Sequence, residues 1–354
     1  MNKLLAKFAI TGKPIECTRY GHGHINETYL AVCADGEKYI LQKINKNVFT
    51  QPEQLMENIA ATTAYIAAHT DDPRASLHLI LAKDGKAYYK DDAGEYWRMY
   101  DFVPSTICMQ RVESARDLYH TGLAFGRFQS GLATFPAETL HEPIKDFHNT
   151  RVRFRQLHKA MEVNYNNRLA DCQAELAFAL ARENEAGAIV DKLASGELPL
   201  RVTHNDTKLN NILFDAETRT PLCVIDLDTI MPGSALYDYG DSIRFGASTA
   251  PEDETDLSKV QCDMDLFRAY TEGFLEGCNG DLTPLELEML PVGAKMMTLE
   301  CGIRFLADYL NGDTYFRTHY EGQNLCRVRT HFKLVADMES KWETMHKIVK
   351  EIVK

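Results

Sequence analysis

Several features are scarce or missing in this 354-residue chain, and each absence excludes a class of protein. No apolar run reaches the roughly 18 residues that a bilayer-spanning helix needs, so we predict no membrane span. The nine cysteines include no Cys-x-x-Cys pair, which disfavours a zinc site or a disulfide framework and favours reduced thiols. The apolar stretch in the first ten residues is interrupted by Lys7, and it lacks the cleavage site of a signal peptide. We therefore expect a cytoplasmic protein.

An excess of positive charge is also missing. Lys and Arg number 39 against 51 Asp and Glu, and the net charge is −12. Nucleic acids and anionic membranes bind basic surfaces, so neither is an expected partner. A hydrophobic share of 45% with 25% charged residues is typical of an ordinary globular protein. The partners we expect are small molecules, and the oligomeric state stays open.

The length of the chain and a change in its pattern predict two lobes. The strand candidates are residues 28–32, 38–44, 77–81 and 96–103. The first two flank an Asp-Gly turn and predict a hairpin, and a helical pattern follows at 51–69. Later helical candidates are residues 114–131, 149–196 in pieces, 262–277, 283–311 and from 328 onward. We predict an N-lobe of residues 1–103 and a C-lobe of residues 104–354.

One predicted strand-loop-strand segment, residues 200–230, interrupts the helical pattern. Within it, residues 203–211 are Thr-His-Asn-Asp-Thr-Lys-Leu-Asn-Asn. Asp206 and Asn211 have the spacing of the kinase pattern H-x-D-x-x-x-x-N, in which the Asp acts on the acceptor hydroxyl and the Asn binds metal. Lys208 is close enough in sequence to reach the transferring phosphate as a point charge. These three residues are our candidates for catalysis and metal binding.

A second acidic position follows the apolar run Cys-Val-Ile at residues 223–225. This run predicts a strand that delivers Asp226 at its end, where the carboxylate is a suitable oxygen ligand for Mg²⁺. Asp206 and Asp226 are 226 − 206 = 20 residues apart, enough for a hairpin that brings both to one cleft. Either motif alone would also suit a capped turn or a solvated strand edge. Together, in this order, they predict phosphoryl transfer from ATP with Mg²⁺.

Nucleotide contacts are predicted nearer the N-terminus. Residues 20–26, Tyr-Gly-His-Gly-His-Ile-Asn, resemble a phosphate-covering loop in which Gly21 and Gly23 let the backbone approach the nucleotide, although a plain hairpin turn is the alternative. His24 suits a polar contact to substrate better than a metal, because no third ligand follows. On the next strand, Gln42 aligns with the Lys of the kinase pattern V-A-I-K, so Lys43, one position later, is the candidate cation.

With these motifs in place, the chain resembles the aminoglycoside phosphotransferase and choline kinase superfamily, bilobal relatives of protein kinases. The resemblance implies an α+β fold with a small β-rich N-lobe and a larger, mainly helical C-lobe. It also implies a nucleotide-contacting hinge at Phe102 and Val103. More narrowly, the chain resembles the N-acetylhexosamine 1-kinases over residues 20–26, 201–213, 225–234, 240–249 and 301–309.

The narrower resemblance implies that ATP and Mg²⁺ are used to phosphorylate the anomeric hydroxyl of N-acetylglucosamine or N-acetylgalactosamine. The product would be the α-1-phosphate, in sugar salvage. Asp206 would act on the sugar O1, and Arg304 and Tyr315 match positions that bind sugar hydroxyls and the N-acetyl group. The alternative for Arg304 is a helical ion pair with Asp308. Further predicted sugar contacts are His24, Asp228 and Thr229.

Other interpretations of the same motifs remain open. One is a kinase of a different small alcohol, such as an amino alcohol, an aminoglycoside or another hexose, since the catalytic loop would be shared. Another is a kinase-like binding protein without turnover.

Asp238, Asp241 and Arg244 follow the metal motif, and we predict that they support the catalytic loop through buried hydrogen bonds.

Overall fold

The computed structural model describes residues 1–21 and 25–354, with the side chain of Asn2 also outside the description. Its strands are β1 Pro14–Arg19, β2 Glu27–Cys33, β3 Lys38–Ile44, β4 Tyr89–Lys90, β5 Tyr96–Asp101, β6 Thr106–Cys108, β7 Arg201–Thr203, β8 Ile212–Asp215, β9 Pro221–Val224 and β10 Met231–Gly233. Most of them lie in the first third of the chain, as the pattern of short β-type runs predicted.

The helices are longer and lie mainly beyond residue 110. They are α1 Asn2–Leu5, α2 Pro52–Ala68, α3 Ala115–Gly131, α4 Thr150–Val163, α5 Gln173–Leu180, α6 Val190–Ser195, α7 Ala235–Gly246, α8 Met264–Cys278, α9 Pro284–Leu310, α10 Gln323–Ser340 and α11 Trp342–Val353. This mixture of a small antiparallel sheet and a larger helical part confirms the predicted α+β fold class.

The larger sheet has the strand order β1-β2-β3-β5-β4, and its pairs are antiparallel. The predicted hairpin of β2 and β3 is confirmed. Its turn contains Gly36 at a φ of 93°, a conformation that glycine adopts without strain. Thr28 pairs with Gln42, and Gln42 pairs with Arg98, so these three side chains form one row on one face of the sheet.

The opposite face of the sheet carries an apolar core. Leu41 and Met99 are fully buried there and pack with Phe8 and Leu5 from the N-terminal segment. The predicted strand at 77–81 is wrong: that segment forms only an isolated bridge, between Leu79 and Tyr100. The physical reason is that β4 already pairs with the beginning of β5, which leaves only its end for this segment.

A smaller antiparallel sheet has the order β6-β8-β9. Strand β6 was not expected, because the sequence after Pro104 was predicted to be mainly helical up to residue 200. Ser105, at a φ of 56°, turns the chain into β6, and its carbonyl accepts a hydrogen bond from Ala216 N at 2.9 Å. The β8–β9 hairpin lies within the predicted strand-loop-strand segment.

Contacts divide the chain into two compact units. One contains residues 1–108, 131–145 and 211–232, with the larger sheet, α2 and the β6-β8-β9 sheet. The other contains residues 109–130, 146–210 and 233–354, with most of the helices. The first unit therefore draws its residues from three separate segments. The predicted division at 103/104 stays a prediction.

The helical unit is held together by close backbone approaches at glycines. A Cβ on Gly273 of α8 would lie 1.9 Å from the carbonyl oxygen of Tyr119 on α3, and one on Gly240 of α7 would lie 2.3 Å from that of Gly293 on α9.

Helix α9 matches the predicted helix at 283–311 and begins with a capping box of Thr283 and Glu286. Helix α10 begins at Gln323, earlier than the predicted start at 328, because Gly322 takes the left-handed conformation there. Within the described residues, we find no helix with the length and apolarity needed to cross a bilayer.

Candidate active site

The predicted catalytic loop starts where strand β7 ends, at Thr203. His204 and Asn205 are buried, and Asn205 has a φ of 65°, a left-handed conformation that Asn tolerates better than most residues. The backbone N–H of Asp206 donates to His204 Nδ1 at 3.2 Å. The Asp206 side chain keeps 30% of its surface exposed, so its carboxylate stays accessible while its backbone is fixed.

Helix α7 holds this loop inside the helical unit. The fully buried Asp238 accepts hydrogen bonds from the backbone N–H groups of His204 at 2.9 Å and Asn205 at 2.7 Å. Asp241 accepts from Thr207 N at 3.2 Å. The predicted supporting role of both aspartates is therefore confirmed. Burial raises the pKa of Asp238, because the loss of water outweighs the opposing effect of His204 and of the N–H groups that donate to the carboxylate.

Lys208 lies directly beside Asp206, with 2.5 Å between Lys208 Nζ and Asp206 Oδ1. Burial by itself would lower the pKa of Lys208, but the carboxylates of Asp206 and Asp241 outweigh it and raise that pKa. The ammonium is therefore charged at neutral pH and neutralises Asp206. The role of Lys208 toward a transferring phosphoryl group stays a prediction.

A second layer of charge lies behind Asp241. Arg244 donates to Asp241 Oδ1 at 2.8 Å and to Glu252 Oε1 at 2.6 Å, and its Nη1 is 3.3 Å from His331 Nε2. Burial alone would raise the pKa of the nearby Cys301 thiol, but Arg244 and His331 lower it. Glu252, Cys301 and His331 have the spacing of a metal site. The Arg244 guanidinium already supplies the positive charge that Glu252 and His331 contact.

The two predicted metal ligands lie together at one end of the β8–β9 hairpin. Ile212 pairs with Val224, and Ile225 N donates to the Asn211 carbonyl at 2.9 Å, so Asn211 and Asp226 stand at the same end. Asp226 is exposed and has a φ of 61°, which turns the chain sharply after the strand. One amide oxygen and one carboxylate on a rigid hairpin form a donor set that suits Mg²⁺.

Asp228 and Thr229 follow in a short 3₁₀ turn. Asp228 is 4% exposed, and its two carboxylate oxygens accept hydrogen bonds from Arg98 and from Asn26. Thr229 is half-buried. The oxygens of Asp228 are thus occupied by protein groups, and the sugar contacts at these two positions stay predictions.

The predicted nucleotide residues are described only in part. Gly21 has a φ of 74°, as a tight glycine turn requires, whereas His22, Gly23 and His24 lie outside the described residues. Phe102 N donates to the Lys38 carbonyl at 3.1 Å. The Val103 carbonyl accepts from Thr106 Oγ1 at 3.0 Å.

Lys43 lies on the sheet face opposite the Thr28–Gln42–Arg98 row. Its ammonium is 3.7 Å from Glu27 and 3.5 Å from Glu95. Gln42, in contrast, accepts a hydrogen bond from Arg98 Nε at 2.9 Å. The one-residue offset in the sequence pattern therefore places Lys43 among surface carboxylates, and its role with the nucleotide stays a prediction.

Arg304 and Tyr315 belong to one cluster in the helical unit. The Arg304 guanidinium lies 5.5 Å from the ring centroid of Phe316, whose ring contacts that of Tyr315 with 4.8 Å between centroids. Asp308 accepts from Tyr315 N at 2.8 Å and Phe316 N at 3.0 Å, which fixes this turn. Among the residues that the structure describes, Asp308 makes no ion pair with Arg304, so the helical pairing alternative is wrong.

Two cations were missed by sequence reasoning. Arg98 is 1% exposed and ion-paired with Asp228, and Arg153 is near enough to Arg304 for the two charges to interact. An arginine between Trp97 and Met99 in an apolar strand is a usable signal, because a buried charge requires a partner. Nothing in the helical pattern around Arg153 distinguishes it from a surface residue.

Comparison with known proteins now decides the family. The model of the phosphotransferase enzyme family matches residues 16–271, more than half of the chain. The chain belongs to this phosphotransferase family. Its members' fold also appears in solved structures of low identity, which share the fold alone.

Three such structures illustrate the likeness. An aminoglycoside phosphotransferase from Alicyclobacillus acidocaldarius has a TM-score of 0.66 at 10% identity, over 99% of this chain and 96% of that one. A microcompartment-associated aminopropanol kinase has 0.59 at 15%, over 98% and 97%. The amicoumacin kinase hAmiN, in complex with AMP-PNP, Ca²⁺ and Ami, has 0.60 at 14%, over 96% and 92%.

Proposed function

We propose that this phosphotransferase moves the γ-phosphate of ATP, with Mg²⁺, onto the anomeric hydroxyl of an N-acetylhexosamine. The acceptors would be N-acetylglucosamine and N-acetylgalactosamine, and the product the α-1-phosphate. Family membership supports the transfer reaction, and the complex of hAmiN with AMP-PNP and Ca²⁺ supports a nucleotide with a divalent cation. The choice of acceptor is supported by the motif resemblance and by the charge around Arg304.

That charge is the observation that carries the proposal. Burial lowers the pKa of Arg153, and the neighbouring Arg304 lowers it further. Two guanidinium groups near Tyr315 repel an acceptor that carries an ammonium group, such as an amino alcohol or an aminoglycoside. A site for a cation would instead need acids and aromatic faces. A neutral sugar places no ammonium group beside Arg153 and Arg304.

The hydrogen-bonding groups of Arg153 also favour a sugar as the acceptor. Arg153 Nη1 donates to Gln156 at 2.9 Å, but within the described part of the chain its buried Nε has no hydrogen-bond partner. A buried donor without a partner costs free energy until an acceptor reaches it. The Arg304 guanidinium also lies 5.1 Å from the Phe147 ring centroid, so an apolar surface adjoins the two cations. Hydroxyl and acetamido oxygens would accept from such donors, and the acetamido methyl would contact the rings.

In the proposed mechanism each residue has one task. Asp206 accepts the proton of the sugar O1 or orients that hydroxyl, while Lys208 accompanies the phosphoryl group as a point charge. Asn211 and Asp226 would hold Mg²⁺, which neutralises charge on the nucleotide phosphates when bound. The anomeric hydroxyl is more acidic than an ordinary alcohol, so a carboxylate base suffices.

The test is phosphate transfer from Mg·ATP to a panel of N-acetylglucosamine, N-acetylgalactosamine, glucose, galactose, choline, aminopropanol and an aminoglycoside, with products identified by NMR. A sugar 1-phosphate confined to the N-acetylated hexoses would support the proposal. Transfer to the amines would keep the kinase and reject the acceptor class. No transfer to any acceptor would reject turnover and favour a binding protein.

A variant tests the mechanism separately. Asp206→Asn changes little volume but removes the acceptor-orienting carboxylate, so we expect kcat to fall about a hundredfold or more with an unchanged fold. Asp265→Asn, at an exposed position on α8, is the matched control. Full activity in the Asp206 variant would contradict the assigned role.

A further inference from the structure

A row of polar side chains crosses the inner strands of the larger sheet. Thr28 on β2, Gln42 on β3 and Arg98 on β5 are neighbours in register, and Gln42 donates to Thr28 Oγ1 at 3.0 Å. Arg98 Nε in turn donates to Gln42 Oε1 at 2.9 Å. In this row the cation therefore comes from β5, as Arg98, whereas β3 contributes the neutral amide of Gln42.

Arg98 is anchored to the segment that follows the candidate metal ligand. Its Nη1 forms a buried ion pair with Asp228, only two residues after Asp226. Asn26 donates to the other oxygen of Asp228, and the side-chain Oδ1 of Asn26 accepts from Asn45 N at 2.9 Å. The carboxylate oxygens of Asp228 thus bind Arg98 on β5 and Asn26, the residue before β2.

A second tie comes from helix α2. Asn58, 1% exposed, donates to the Ile230 carbonyl at 3.0 Å, and Ile230 N closes the 3₁₀ turn onto Leu227 at 3.1 Å. Asp226 begins this turn in a left-handed conformation that costs free energy for a non-glycine residue. Such a conformation persists only where the surroundings hold it. Asp228 and Ile230 are two positions at which other elements of this unit hold the turn.

The pKa of Arg98 is consistent with its position beside the two aspartates. Burial alone would lower the pKa of Arg98, but the carboxylates of Asp228 and Asp226, with Tyr100, raise it above its ordinary value. Arg98 thus acts electrostatically on both aspartates, and its buried ion pair is with Asp228. Lys43 pairs with Glu27 and Glu95 on the other face of the sheet.

We propose that Arg98 and Asp228 form a positioning pair that holds Asp226 in its metal-binding conformation and governs the binding of the Mg²⁺–nucleotide complex. This inference rests on the proposed function for the identity of that ligand. Asp228 is then a positioning residue rather than a sugar contact. Arg98 supplies from β5 the positive charge that protein kinases supply from the third strand.

Loss of the Arg98–Asp228 pair should change KM for Mg·ATP but not KM for the acceptor. In Arg98→Gln and in Asp228→Asn we expect KM for Mg·ATP to rise about tenfold or more, with KM for the acceptor unchanged within about twofold. A loss of folded protein would reduce kcat alone, so the split between the two KM values separates positioning from stability. Arg98→Lys keeps the charge and should lie nearer to wild type than Arg98→Gln.

The single variants leave a buried charge without its partner and are at risk of misfolding. The double variant Arg98→Gln/Asp228→Asn removes both charges and is the safer test. If the two residues act as a unit, its KM for Mg·ATP should be no higher than that of the worse single variant. Arg155→Gln, at an exposed position on α4, is the matched control.

Binding without an acceptor separates this inference from the proposed function. Calorimetric titration with Mg²⁺ and a non-hydrolysable ATP analogue should show the same tenfold loss in the folded variants, whatever the acceptor is. If the wild type phosphorylates none of the panel, the proposed function fails and this titration still tests the pair. Wild-type affinity in the folded double variant, or a larger loss in Lys43→Gln than in Arg98→Gln, would overturn the inference.

Discussion

The catalytic loop should depend on Asp238, because this one buried carboxylate accepts three N–H donors. Oδ2 accepts from His204 N at 2.9 Å and from Gln129 Nε2 at 2.7 Å, and Oδ1 accepts from Asn205 N at 2.7 Å. Asp238→Asn replaces one of these oxygens with an NH₂ group. Whichever way the amide turns, at least one backbone N–H of the loop then faces another donor.

The expected loss of stability follows from the number of N–H donors that lose their acceptor. A buried donor left unsatisfied costs about 1–3 kcal/mol. The variant also removes a buried negative charge, which recovers part of that loss because burial raises the pKa of Asp238. We expect a net destabilisation of about 1–2 kcal/mol for Asp238→Asn, and about 3 kcal/mol or more for Asp238→Ala, which removes all three acceptors.

Activity should fall further than stability, since His204 and Asn205 directly precede Asp206. A displacement of the loop by an ångström misplaces that carboxylate, so we expect kcat of Asp238→Asn to fall at least about tenfold at temperatures where the variant is folded.

The assay is urea unfolding followed by circular dichroism, with the transitions of the two units fitted separately. Asp265→Asn, exposed on α8, serves as the control. An Asp238→Asn variant with both wild-type unfolding and wild-type kcat would refute the role of Asp238 in holding the catalytic loop.

Two further predictions concern a close approach between two helices and a carboxylate beside Arg244. Gly273→Ala should lower stability by about 2 kcal/mol or more in thermal unfolding, because its Cβ would lie 1.9 Å from the Tyr119 carbonyl oxygen, whereas Gly131→Ala has open space and should not destabilise. Burial would raise the pKa of Glu252, but Arg244 lowers it from 4.5 to about 2. The ionised carboxylate therefore stabilises the fold at neutral pH, and the stability difference between wild type and Glu252→Gln should shrink as pH falls from 4.5 to 2; a pH-independent difference would contradict this.

The sequence by itself determined the local chemistry. The spacing of Asp206 and Asn211, and the apolar run that delivers Asp226, are encoded within a few residues, as are the turn between β2 and β3 and the helical periodicities. Short-range patterns of this kind specify a hairpin or a loop without reference to the rest of the chain. The fold class followed from them, and the substrate did not.

The tertiary structure decided which distant groups became partners. Arg98 and Asp228 are 130 residues apart, and Gln129 and Asp238 are 109 apart. Such pairs depend on strand register and on helix packing, where a shift of one residue sends a side chain to the opposite face, as Gln42 and Lys43 illustrate. The sequence therefore predicted the candidate residues for phosphate and metal, whereas only the folded chain identified the buried charges that lie around them.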